Sequence, residues 1–133
     1  MDEIVFVDAN IFLEIALEDN KNEDCKNFIN LILSNKIKAY TSEFIIYTCL
    51  IQLQFKSKEN ITKMKEFLVF INSLNITIIK PTLNEISKAT AYMEKHKLDF
   101  DDGLVISCMI NNNIKNLISF DKDFDKVNII KRE

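Results

Sequence analysis

Ile4-Val5-Phe6-Val7-Asp8-Ala9-Asn10 is the stretch on which the reading of the fold turns. Its β-branched and aromatic run suits a strand buried on both faces, and it stops at a carboxylate. Asp8 follows Val7 directly, where an uncompensated charge beside a core strand is costly. Asp8 therefore marks the end of a strand, at a place where a charge has a task.

Outward from there the apolar period changes from strand to helix and back. Residues 11, 12, 13, 15, 16 and 17 are apolar, which predicts a short helix over Asn10–Leu17. Residues 23–34 set Cys25, Phe28, Ile29, Leu31, Ile32 and Leu33 at helical spacing. Lys38–Thr41 is a brief strand, and Thr41 or Ser42 can cap a long helix running to Phe55, with Glu43 in its first turn. Residues 59–74 form another amphipathic helix, Ile76–Ile79 is a strand closed by Lys80-Pro81, and Thr82-Leu83-Asn84-Glu85 is a capping box opening a helix to His96. A further helix begins at Asp99 and stops in Asn111-Asn112-Asn113, and Leu117–Phe120 and Val127–Ile130 read as the last strands. Strands alternating with helices need crossover connections, so the expected fold class is α/β with a parallel sheet covered on both faces.

Composition agrees. The length of 133 residues suits one domain, and 47% apolar with 28% charged residues are globular proportions. A single Gly and a single Pro argue against all-β folds, which spend those residues on tight turns, and exclude glycine-rich phosphate loops. A net charge of -3 gathers no polyanion by itself. Cys25, Cys49 and Cys108 are odd in number, lack C-x-x-C spacing and sit among apolar residues, so a reduced, cytoplasmic protein is expected. The uncharged stretches 44–55 and 67–79 fall short of the roughly 18 to 20 apolar residues a membrane span needs. Asp2 and Glu3 stand where a signal peptide wants positive charge, so no membrane or export role is expected. His96 is the only histidine, which rules out multi-histidine zinc sites, and its polar context suggests a solvated cation at a helix end.

The acidic residues carry the functional signal. Asp8 and Asp121 each follow a strand, and open parallel sheets bind ligands outside the carboxyl ends of their strands. Glu43 and Asp102 fall in the first turns of helices and can point into the same cleft. Taken singly, Glu43, Asp99 or Asp102 would be read as a cap or macrodipole partner, and Asp121, Asp123 and Asp125 as a turn with a solvated helix start. Together, carboxylates gathered so closely repel one another unless a cation neutralises them. With no histidine or cysteine in the set the donors are hard oxygens, which points to Mg²⁺ or Mn²⁺ and to phosphoryl transfer.

At these residues the chain resembles the PIN-domain family, a metal-dependent ribonuclease fold found in toxin/antitoxin pairs and RNA-processing factors. Val7-Asp8-Ala9-Asn10 resembles the opening motif, Thr41-Ser42-Glu43 the helix start bearing the second acidic residue, and Leu98 to Ile106 the third motif. Ile118-Ser119-Phe120-Asp121-Lys122-Asp123-Phe124 is similar to the fourth, a Ser or Thr two residues before an Asp. Gly103 departs from the commoner Ala.

The resemblance implies a single PIN-like domain over 1–133, three-layer α/β/α around a central, mostly parallel sheet of four to five strands. It implies a toxin-type endoribonuclease using one or two Mg²⁺ or Mn²⁺ ions held by Asp8, Glu43, Asp102 and Asp121, with cleavage leaving 5′-phosphate and 3′-hydroxyl ends. Asn10, Asp99 and Ser119 would orient ligands or waters. Asp102 is preferred to Asp99 and Asp101 because it directly precedes the small residue, and Asp121 to Asp123 because Ser119 sets the register.

Lys56, Lys58, Lys63 and Lys65 crowd the junction of two helices and are candidates for RNA phosphate contact, although a solvated helical surface explains them as simply. Phe44–Phe55 and Met64–Phe70 hold more apolar surface than one helix side needs, which suggests a homodimer or a groove for an antitoxin protein. Two alternatives stand beside the ribonuclease. A haloacid-dehalogenase-like phosphatase also places an Asp after its first strand, but Asn10 occupies the position of its second Asp. A PIN-like module that binds RNA or protein without cutting would not need the acidic set.

Overall fold

Val5, Phe6 and Val7 have no exposed surface, and the strand they form lies at the centre of the sheet. The computed structural model describes residues 3–18, 21–128 and 130–132. Its strands are β1 (Glu3–Val7), β2 (Ile37–Ser42), β3 (Ile76–Ile79), β4 (Asn116–Ile118) and β5 (Lys131–Arg132). All pair in parallel, in the order β3-β2-β1-β4-β5, with Phe6 opposite Tyr40 on one side and Leu117 on the other. The helices are α1 (Ala9–Ala16), α2 (Asn22–Leu33), α3 (Glu43–Lys56), α4 (Asn60–Ser73), α5 (Leu83–His96) and α6 (Phe100–Asn111). The architecture is the expected three-layer α/β/α. None of the described helices is long and apolar enough to cross a membrane.

Strand order decides where a site can form. From β1 the chain moves through β2 to β3, then returns by α5 and α6 to β4 on the other side of β1 and continues to β5. Connections leave β1 and β4 in opposite directions, which opens a crevice beyond their carboxyl ends. Asp8 and Ser119 stand at those two ends.

Packing follows from the sequence pattern. Phe12 of α1 meets Phe67 of α4 edge-on, with ring centroids 6.3 Å apart. Ser42 is the residue that caps α3, accepting the Ile45 amide at 3.2 Å, and the capping box of Thr82 and Glu85 opens α5. Gly103 lets α6 approach α5: a Cβ there would lie 2.7 Å from the Ala89 carbonyl oxygen and 3.0 Å from Met93 Cγ. Its smallness is thus a packing requirement. Cys25, Cys49 and Cys108 are free and buried, and burial raises each thiol pKa, to about 11 for Cys25 and about 12 for Cys108.

Two local expectations need correction. The last strand is Lys131–Arg132 and not Val127–Ile130. A 3-10 turn at Lys122–Lys126 ends with the Val127 amide donating to the Phe124 carbonyl at 3.1 Å, and Val127 and Ile130 fill the core instead of the ladder; Ile129 lies outside the described residues. His96 is half-buried at the end of α5 and not fully solvated: its ring stacks on Tyr92 with centroids 6.3 Å apart.

Candidate metal centre

The Asp8 amide donates to the Ile118 carbonyl at 3.0 Å, continuing the β1–β4 ladder for one more bond, and the side chain then turns to cap α1 by accepting the Ala9 amide at 2.8 Å. Capping explains the helix start, but it uses only Oδ1. Oδ2 accepts the Ser119 hydroxyl at 2.7 Å. The same Ser119 oxygen accepts Asn10 Nδ2 at 3.2 Å and the Asp121 amide at 3.0 Å. Asn10 Oδ1 in turn accepts the Phe120 amide at 3.3 Å. Asn10 and Ser119 thus stitch the end of β1 to the loop after β4. Beneath them Thr41 of β2 donates to the Val7 carbonyl at 2.9 Å.

Beyond this knot the loop makes its 3-10 turn, in which Asp121 caps by accepting the Asp123 amide at 2.9 Å. The turn swings Asp123 toward the first turn of α6. One carboxylate oxygen each from Asp102, Asp121 and Asp123 lie within 4.8 Å of one another. Carboxylates from two separate segments therefore meet beside the buried Asp8.

Electrostatics record the crowding. Asp102 is pushed up from 3.8 to about 7, first by burial and then by the charges of Asp101, Asp121, Asp8 and Asp99. Burial likewise raises Asp8, against the hydrogen bonds from Ser119 and Ala9, and the charges of Asp121 and Asp101 add to the rise. These side chains offer hard oxygens alone, and Asp102 and Asp8 resist carrying their charges there. That donor set fits a divalent cation of the Mg²⁺ or Mn²⁺ kind.

The sequence candidates are placed unequally. Asp102 and Asp121 come together, and Asp8 joins them through Ser119. Asp99 is exposed at the N-cap of α6 and acts on Asp102 through its charge. Glu43 stands apart: its carboxylate accepts the Tyr47 hydroxyl and lies 3.8 Å from Lys80 Nζ. It follows β2, two strand spacings from β4, roughly 9 to 10 Å. Asp123, which the sequence assigned to a solvated turn, belongs to the cluster; two acidic residues separated by one position after a strand were the available signal. Tyr47 and Lys80, the partners of Glu43, carried no signal in the sequence. Lys56 ends α3, about 20 Å along the helix from Glu43. Lys58 lies beyond it, Lys65 is exposed on α4, and Lys63 lies 3.9 Å from Glu66.

The PIN domain family model matches residues 5–130. This chain belongs to the PIN domain family. Solved structures with the same fold include Mycobacterium tuberculosis VapC20, a Sarcin-Ricin loop cleaving toxin, at 17% identity and a TM-score of 0.78, covering 96% of this chain and 97% of that one. VapBC2 from Rickettsia felis, bound to a DNA fragment from its promoter, is 19% identical with a TM-score of 0.73 and coverages of 98% and 97%. A toxin-antitoxin complex from Klebsiella pneumoniae is 12% identical with a TM-score of 0.72 and coverages of 95% and 94%. No curated protein sequence matches this PIN domain. At such identities the likeness is one of fold, and the resemblance carried by Val7-Asp8-Ala9-Asn10 and Ser119-Phe120-Asp121 agrees with it.

Proposed function

We propose that this PIN domain is a toxin-type endoribonuclease that hydrolyses RNA phosphodiester bonds with Mg²⁺ or Mn²⁺. The observation that carries the reading is the approach of Asp102, Asp121 and Asp123 to within 4.8 Å, beside the buried Asp8, in the crevice between β1 and β4. Asp8, Asp102, Asp121 and Asp123 would hold the ion, and Glu43, two strand spacings from β4, would act on it only through water. When bound, a divalent cation stabilises the attacking and leaving oxygens of a phosphodiester and makes water a better nucleophile near neutral pH.

The chain's own residues do the positioning. Ser119 donates to Asp8 Oδ2 while the Ala9 amide holds Oδ1, so the carboxylate is fixed in orientation, and Asn10 ties the Phe120 amide to the same knot. No histidine is needed as a general base. The structural likeness to VapC20, to VapBC2 and to a toxin-antitoxin complex supports an RNA substrate and an antitoxin partner. The exposed Tyr47, Ile51 and Phe55 of α3, with Val69 of α4, supply apolar surface for that partner or for a homodimer. The reduced, buried thiols suit the cytoplasm.

The test is cleavage of 5′-labelled RNA by the purified protein with Mn²⁺ or Mg²⁺. Cutting is expected to leave 5′-phosphate ends and to vanish in Asp8→Asn and Asp102→Asn with the circular dichroism spectrum unchanged. Turnover of small phosphomonoesters with RNA left intact would replace the nuclease by a phosphatase.

A further inference from the structure

Arg132 is the only arginine among 17 Lys and Arg residues, and it stands in β5, the short strand at the edge of the sheet. Its backbone pairs with Leu117 of β4. Its guanidinium turns to the loop between those two strands. Nε donates to Asp125 Oδ1 at 2.8 Å, Nη2 to Asp125 Oδ2 at 3.2 Å, and Nη1 to the Ser119 carbonyl at 3.1 Å. One planar side chain therefore ties the first residue after β4 to the far part of the 3-10 turn. The segment held between its two grips contains Asp121 and Asp123.

That segment needs holding. A 3-10 turn has poorer hydrogen-bond geometry than an α-helix, and this one carries Asp123 and Asp125 behind Asp121 and faces Asp102, so like charges push it outward. The exposed Lys126, 3.8 Å from Asp123, is a point charge on a flexible stem. Arg132 differs in kind: its fork matches a carboxylate with two parallel bonds and has a donor left for a carbonyl, which an ammonium cannot do in one fixed geometry. Its side chain is 22% exposed, against 56% for Asp125, so the grip is anchored from the inner side.

We propose that Arg132 is a positioning residue of the metal centre: its fork on Asp125 and its bond to the Ser119 carbonyl hold residues 119–125 in the geometry that brings Asp121 and Asp123 to Asp102. This rests on reading the centre as an ion site. Position and charge make opposite demands here. By charge alone, removing a cation near the cluster strengthens Mn²⁺ binding; if Arg132 works by holding the loop, removing it weakens binding.

The experiment is calorimetric Mn²⁺ titration of the full chain as wild type, Arg132→Gln, Arg132→Lys and Asp125→Asn, with amide hydrogen exchange of each protein free of metal. Both Arg132 variants are expected to bind Mn²⁺ about tenfold or more weakly, the usual effect of losing a group that orients metal ligands. The Asp121 and Asp123 amides should exchange faster in all three variants while those of β1 do not change. Asp125→Asn breaks the same fork from its exposed end and keeps the exchange test open if Arg132→Gln does not fold. Arg132→Gln or Arg132→Lys binding as tightly as wild type, or unaltered exchange at Asp121 and Asp123, overturns the proposal alone. Wild-type protein that binds no Mn²⁺ overturns the ion-site reading and this proposal with it.

Discussion

Replacing Asp102 by Asn should make the metal-free protein more stable at pH 8 and leave it nearly unchanged at pH 4. Asp102 has a folded pKa of about 7 against an ordinary 3.8. An acid raised on folding binds more protons folded than unfolded between those values, so its contribution to stability is full below 3.8 and is lost as pH rises to about 7. A shift of that size corresponds to a ceiling of about 4 kcal/mol, and because the side chain is only partly buried, solvent screening reduces it to about 1–2 kcal/mol. Asn carries no charge and escapes the penalty. Thermal denaturation in EDTA should therefore show Asp102→Asn melting about 3–8 °C above wild type at pH 8, with the gap closing toward pH 4. Saturating Mn²⁺ at pH 8 should reverse the order, since a ligand at 100 times its Kd adds about 2.7 kcal/mol to the protein that binds it. Asp102→Asn melting no higher than wild type at pH 8 without metal would refute the reasoning, because neither burial nor the neighbouring charges would then penalise the Asp102 carboxylate.

Gly103→Ala should destabilise the fold by about 1 kcal/mol in urea denaturation, because the clash with the Ala89 carbonyl outweighs the gain in helix propensity; a stabilised variant would mean that α5 and α6 separate easily. Ser119→Ala removes one donor and one acceptor from the knot around Asp8 and should weaken Mn²⁺ binding about tenfold, read by calorimetry, with about 1–2 kcal/mol lost in stability. Replacing Lys56, Lys58, Lys63 and Lys65 by Ala should weaken RNA binding and flatten its dependence on salt without lowering kcat, and an unchanged salt slope would return these lysines to solvated surface.

Much of the fold was legible because its elements announce themselves locally. Ile4–Val7, the capping box at Thr82–Glu85 and the apolar period of residues 59–74 each have one physical reading, and each element formed there. Val127–Ile130 misled because a β-branched run satisfies a core plug as well as a strand, and only the 3-10 turn before it decides between them. In the site, Asp8 stood out because it ends a buried strand, whereas Asn10 and Ser119 were named only through the resemblance to the PIN-domain motifs. Glu43 was expected among the ligands and Asp123 in a solvated turn; that Glu43 lies outside the cluster of Asp102, Asp121 and Asp123 is a matter of side-chain reach, which is tertiary. Glu43 had local partners in Tyr47 and Lys80, and Asp123, still exposed, is set beside Asp121 by its amide donating to the Asp121 carboxylate. Arg132 was invisible for the same reason: its partners lie 7 and 13 residues away in the sequence.

The central claim is that β1, α6 and the loop after β4 converge on one ion. Paramagnetic broadening tests it most directly: substoichiometric Mn²⁺ is added to the labelled protein and amide signals are followed by NMR. Signals of residues 8–10, 101–103 and 119–123 should broaden first and together, and Mg²⁺ in excess should restore them. Broadening of only one of these segments, or broadening that begins elsewhere on the molecule, would contradict the claim.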